Sequence, residues 1–86
     1  MNSKIKEVQI EGGIFIFKLY QILEDKNISI NKLMRDTNTD FKVIQRLAKG
    51  DCIRVDLAII ARLCAYLKCD FEDIIEHKRN SELIMN

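Results

Sequence analysis

Hydrophobic positions change their period once along this chain. Lys4-Ile5-Lys6-Glu7-Val8-Gln9-Ile10 partly alternates, Glu11-Gly12-Gly13 marks a turn, and Ile14-Phe15-Ile16-Phe17 is a β-branched and aromatic run. Two such segments around a glycine pair predict a hairpin. From Lys18 the period becomes that of a helix, and strand-like text does not return. A first helix is expected over about Lys18–Lys26, with Leu19, Ile22 and Leu23 inward and Asn27 closing it. A second follows Ser29 as N-cap and runs from Ile30 to Asp36, with Leu33 and Met34 inward. Thr37-Asn38-Thr39 makes a tight turn. A third helix, Phe41–Lys49, is capped by Asp40, buries Ile44 and Leu47, and stops at Gly50.

The fourth helix, Val55–Lys68, is apolar nearly all round, interrupted only by Asp56, Arg62 and Lys68. That predicts the central buried helix, with Leu57, Ile60, Cys64 and Leu67 as its inner stripe. Asp70 caps a fifth helix, Phe71–His77, offering Phe71, Ile74 and Ile75 to the core. The expected fold class is therefore all-α, five helices with a short N-terminal β strand or hairpin. Residues 1–17 form the arm, 18–78 the helical domain and 79–86 a flexible tail.

Composition narrows the function classes. The 86 residues are 48% hydrophobic and 31% charged, which suits a folded domain and not a disordered segment. A chain this short buries only about 60% of its unfolded surface. Its core is thin, a partner subunit would help complete it, and a compact binding module is a better expectation than an enzyme with a lidded cleft. The net charge is only +1, but its distribution is uneven. Residues 28–54 carry six cations (Lys32, Arg35, Lys42, Arg46, Lys49 and Arg54) against Asp36, Asp40 and Asp51, whereas residues 55–86 are net acidic. A polyanion would meet the middle third.

Cys52, Cys64 and Cys69, with His77 as the single histidine, do not supply four ligands at zinc-site spacing. No cofactor or metal is expected, nor a structural disulfide. The charged N-terminus does not read as a secretory leader. No apolar run exceeds the length of Leu57–Ala61, far short of the roughly 20 residues that span a bilayer. A cytoplasmic protein with reduced thiols and no membrane contact is the expectation. Ser29 reads as a cap rather than a nucleophile, so no catalytic constellation is visible and the chain is not expected to be an enzyme.

Two short helices joined by a tight turn, the second ending at a glycine, form the helix-turn-helix pattern, whose second helix enters the major groove. The groove is roughly 12 Å wide and admits one helix. With Ile44 and Leu47 inward, Lys42, Gln45, Arg46 and Lys49 lie on outer faces of the third helix. The segments Ser29–Asn38, Ile44-Gln45-Arg46-Leu47 and Gly50 together resemble the Xre/Cro-type helix-turn-helix of phage repressors and small bacterial regulators. Arg54-Val55-Asp56-Leu57, Leu63-Cys64-Ala65-Tyr66-Leu67-Lys68-Cys69 and Asp73-Ile74-Ile75-Glu76 resemble the ending of one branch. The resemblance covers about residues 17–77. It implies a lambda-repressor-like, five-helix domain that binds operator DNA, usually as a homodimer, and controls transcription, most simply as a repressor.

Carried over position by position, the resemblance implies base reading by Phe41, Lys42, Gln45 and Arg46. It implies phosphate contacts at the second helix and just after the third, where Ser29, Lys32, Lys49 and Arg54 stand. Arginine pairs bidentately with guanine and glutamine with adenine. Each role has a plain alternative. Gln45 and Arg46 read equally as a solvated surface, Phe41 as a staple between helices, and Lys32, Arg35 and Lys49 as solvated charges. Cys64 and Cys69 read as small core residues, and His77 as a cation favoured by the end of the last helix. The chain departs from the family pattern at Met34, Asn38 and Thr39, and Asp51-Cys52-Ile53 stands where relatives often carry lysines. That loss of cations keeps a second function open, a protein-interaction module of the same fold (antitoxin-like or an anti-repressor partner).

A homodimer on a palindromic double-stranded operator is expected from the surplus of apolar surface. Val55, Ile59 and Tyr66 lie off the inner stripe of the fourth helix, and Ile14–Phe17 has no later strand to pair with. Either its own hairpin partner or another copy must cover that segment.

Overall fold

The computed structural model describes residues 5–51 and 54–79. The expected hairpin is present as β1 (Lys6–Ile10) and β2 (Gly13–Phe17), antiparallel, with Val8 opposite Phe15 and Ile10 opposite Gly13. Its two-residue turn holds Glu11 at φ 51° and Gly12 at φ 80°. Left-handed backbone at both turn positions matches the right-handed twist of the strands.

The helices follow as α1 (Leu19–Asp25), α2 (Ile30–Thr37), α3 (Phe41–Lys49), α4 (Leu57–Leu67) and α5 (Phe71–Ile74). Polar caps set their starts. Ser29 Oγ accepts from the Lys32 N–H at 3.0 Å, Asp40 from Lys42 at 3.1 Å and Asp56 from Ala58 at 2.9 Å. Left-handed residues set the stops, with Asn38 at φ 53°, Gly50 at φ 74° and Lys68 at φ 57°. Asp56 caps α4 instead of interrupting it.

The chain is not all-α. The fifth helix was expected to reach His77 but ends at Ile74, where the backbone becomes extended and continues as β3 (Ile75–Arg79). β3 pairs antiparallel with β2, Phe17 opposite Ile75 and Gly13 opposite Arg79, giving a three-stranded sheet in the order β1-β2-β3. The physical reason is the second edge of β2. Its backbone groups need partners, and β3 supplies them. Gly13 makes room for this pairing, because a Cβ there would lie 2.6 Å from His77 Nε2. His77 is thus a strand residue whose ring rests on Phe15, centroids 4.6 Å apart, not a cation at a helix end. Ile14–Phe17 finds its partners on both sides within the chain. Arg79, expected to open the tail, closes β3, and the rest of the tail lies outside the described residues.

The core joins helices and sheet. Phe17, Leu19, Leu33, Ile44, Leu63 and Ile74 are among its buried side chains. α4 packs through Ile60, Leu63 and Leu67, while Leu57, expected on the inner stripe, is 71% exposed. Phe71, also expected inside, is 44% exposed, whereas Ile74 and Ile75 are buried as expected. α4 is therefore a flank of the core and not its buried centre. The junction of sheet and helices is tied by Lys18, whose N–H donates to the Ile74 carbonyl at 2.8 Å and whose Nζ pairs with Glu76 at 3.1 Å.

Candidate nucleic-acid interface

The turn between α2 and α3 is built from polar groups that satisfy one another. The Thr37 hydroxyl donates to the Leu33 carbonyl at 2.5 Å and lies 2.8 Å from the Thr39 hydroxyl. Both threonines are buried. Arg62 of α4 reaches Thr39 Oγ1 at 3.5 Å, so the turn is also held from the next helix. Thr39, one of the departures from the family pattern, fills the site with a hydrogen-bonded methyl-bearing side chain. Asn38 takes the left-handed backbone that closes α2, which its short polar side chain tolerates.

A second tie joins α2 to α4. The Tyr66 hydroxyl donates to Asp36 Oδ2 at 2.5 Å, and Lys32 Nζ donates to the same oxygen at 2.9 Å. The Tyr66 hydrogen bond, then Lys32, holds the Asp36 carboxyl below its ordinary value. The Asp36 carboxylate raises both Tyr66 and Lys32 in turn. A carboxyl depressed in the fold contributes stability that is present above its unfolded value, about 4, and lost as pH falls through the lower folded value. Replacing Tyr66 with Phe removes that hydrogen bond. Thermal melts should show Tyr66→Phe less stable than the parent at neutral pH, with the gap narrowing below about pH 4. A gap independent of pH down to pH 2 would mean the hydroxyl does not act through Asp36.

α3 carries the sequence-predicted base readers. Ile44, Leu47 and Ala48 are buried, the opposite side presents Lys42, Arg46 and Lys49 to solvent, Gln45 is half-buried, and Phe41 is exposed at the helix start. Spacing by three and four residues puts Lys42, Arg46 and Lys49 on one face. Lys42, Arg46 and Arg54 also line one shallow cleft between α3 and the start of α4, together with Asp40, Asp51 and Asp56. The phosphate candidates are less unified. Ser29 is engaged as the α2 cap and Lys32 is paired with Asp36. Lys49 is exposed in the last turn of α3, and Arg54 is exposed beyond it.

The far end of α3 is seated on the hairpin. A Cβ at Gly50 would lie 2.9 Å from both a Phe17 ring carbon and Val8 Cγ2. Sequence reasoning missed this seat, and it missed Asp36, Tyr66 and Arg62 as the groups that fix α2 and the turn. Only the Lys32–Asp36 spacing of four was a usable signal; Tyr66 is 30 residues from its partner.

The thiols stand apart from this surface. Cys64 and Cys69 are free, half-buried and packed against the core. Burial, then the neighbouring Cys64, pushes the Cys69 thiol up to about 11, so little reactive thiolate forms at neutral pH. Cys52, the third cysteine of the sequence, lies outside the described residues. Among the described residues, no group of three or more His, Cys, Asp or Glu is placed to hold a metal ion. None of their helices is long and apolar enough to cross a membrane.

Comparison with known proteins agrees with this geometry. No curated protein and no solved structure matches the chain significantly. Residues 18–80, which take in all five helices, the turn and β3, match the Cro/C1-type HTH DNA-binding domain. That match covers most of the chain, and the chain belongs to the Cro/C1-type HTH DNA-binding domain family.

Proposed function

We propose that this DNA-binding domain recognises a specific double-stranded sequence by laying α3 in the major groove, and that it acts as a transcriptional repressor, as a homodimer on a palindromic operator. The observation that carries the reading is the division of α3. Ile44, Leu47 and Ala48 are committed to the core, so Phe41, Lys42, Gln45 and Arg46 are held at fixed positions, with Phe41, Lys42 and Arg46 exposed. A short helix so presented matches the width of the groove. Lys42 stands at the start of α3, where groove walls and base edges are both within reach, and Lys49 and Arg54 follow the helix to the backbone beyond it. Ser29 and Lys32 contribute at the start of α2, Lys32 by exchanging Asp36 for a phosphate. Two-fold pairing would set two such helices one DNA turn apart, roughly 34 Å.

Selection from a random duplex pool tests the reading. A preferred sequence should emerge, and Gln45→Ala should relax the preference at one base pair with a loss of about 1–3 kcal/mol there. Lys42→Ala should weaken binding to all sequences and lower the salt slope by about one phosphate. Enrichment of no sequence, or variants that bind like the parent, would contradict groove reading by α3.

A further inference from the structure

α4 ends in a turn that brings two thiols together. Lys68 takes left-handed backbone at φ 57°, and its N–H donates to the Cys64 carbonyl. The Cys69 N–H donates to the same carbonyl at 3.1 Å. A helix closed in this way packs the side chain just past the left-handed residue against that of the residue whose carbonyl it caps. An apolar pair ordinarily makes this contact. Here both positions are cysteine, free and half-buried, and a side-chain hydrogen bond links their thiols. We infer that Cys64 and Cys69 form a two-coordinate site for monovalent copper, a soft cation held between two thiolate sulfurs.

Coordination number and ligand type select the metal. Among the described residues no group of three or more His, Cys, Asp or Glu is placed to hold an ion, so the pair has no third or fourth ligand there. A structural zinc site takes four N or S ligands, and calcium or magnesium takes hard oxygen donors. Monovalent copper favours soft sulfur, and its filled d shell is satisfied by two thiolates in a line. Asp73 of α5 is the carboxylate nearest the Cys69 thiol, but it is a hard donor and its Oδ2 already accepts from the Asp70 N–H at 2.9 Å.

The charge balance of loading is simple. Two thiols and one Cu(I) ion give one bis-thiolate copper complex of net charge −1 and two released protons, with no electron transferred. Burial keeps the Cys69 thiol protonated in the free protein, and Lys26, just past α1, acts on it in the opposite sense by favouring negative charge. The same ammonium favours the loaded, anionic site. Half-burial leaves an ion a path to both sulfurs. The thiols lie in and just past the last turn of α4, whereas the cleft beside α3 lies at its start. The copper site therefore stands or falls independently of the DNA reading.

Competition for Cu(I) between the full chain and the colorimetric chelator bathocuproine disulfonate, under reductant, tests the site. The parent and Cys52→Ser are each expected to withdraw one copper per chain. Cys64→Ser and Cys69→Ser should withdraw none, with circular-dichroism melts confirming that both stay folded. X-ray absorption on copper-loaded Cys52→Ser should show two sulfur neighbours and no nitrogen or oxygen. That measurement leaves the turn intact, so it decides the matter even if a turn variant fails to fold. Copper should also raise the melting temperature of Cys52→Ser, because an ion that binds only the folded chain stabilises it. A parent that withdraws no copper overturns the inference. So does loss of uptake in Cys52→Ser, full uptake by the double variant Cys64→Ser with Cys69→Ser, or a copper shell containing nitrogen or oxygen.

Discussion

Gly50→Ala is expected to lower stability by about 2–5 kcal/mol. Two independent costs add at this position. Gly50 has φ 74°, and an L side chain in the left-handed region costs roughly 1–2 kcal/mol. The new methyl would also lie 2.9 Å from a Phe17 ring carbon and from Val8 Cγ2, and overpacking of this kind costs roughly 1–3 kcal/mol. Neither neighbour yields easily, because Phe17 is buried between the sheet and the helices. For a domain of this size the melting temperature should fall by about 10 °C or more. Gly50→Asn separates the two costs, since asparagine tolerates the backbone but still carries a Cβ. It should recover only part of the loss. A Gly50→Ala midpoint within about 2 °C of the parent would show that the hairpin does not press on the end of α3.

The second large effect is functional. Arg46→Ala should cost about 1–3 kcal/mol at its preferred duplex, concentrated at one base pair. Arg46 is exposed in the last turn of α3, one residue before buried Leu47, which fixes where its Cα stands. Its guanidinium presents paired donors in a fixed fork, which match the O6 and N7 of guanine. Arg46→Lys keeps the charge and loses the fork, so it should retain general affinity while discriminating less well. The melting temperature should barely move, because the residue is exposed. If Arg46→Lys discriminates as well as the parent, Arg46 acts through charge alone.

The helices were legible because each carries its own punctuation. Ser29, Asp40 and Asp70 mark starts, Asn38 and Gly50 mark stops, and these signals act within a few residues of the chain. The outer face of α3 was legible for the same reason, since Ile44 and Leu47 set its phase. β3 was not. Ile75-Glu76-His77-Lys78-Arg79 has no alternation of apolar and polar residues, and its strand state is decided by pairing with β2, some 60 residues earlier in the chain. Gly13 held half of that information, but a glycine beside a turn glycine reads as part of the turn.

Leu57 was misplaced by phase. With Asp56 as the N-cap, the stripe Ile60, Leu63 and Leu67 faces the core, and Leu57 falls about 90° from its centre at 100° per residue. The Asp36–Tyr66 bond was hidden by distance along the sequence. The candidate site itself was visible as a list of side chains, whereas its supports (the hairpin under Gly50, Tyr66 on Asp36 and Arg62 on Thr39) belong to tertiary structure.

The central claim is that the cationic face of α3 meets duplex DNA, and the salt dependence of binding tests it most directly. Affinity for a selected duplex, measured by fluorescence anisotropy between about 50 and 200 mM salt, should fall linearly on a double-logarithmic plot. Four phosphate contacts per protomer, from Lys32, Lys42, Lys49 and Arg54, imply a slope of about −3.6 for each protomer bound, since each neutralised phosphate contributes about −0.9. A steep slope that becomes shallower in Lys42→Ala is the predicted result. A flat plot, or equal affinity for the selected duplex and a scrambled one, would contradict the account and favour a domain that uses this fold to hold another protein.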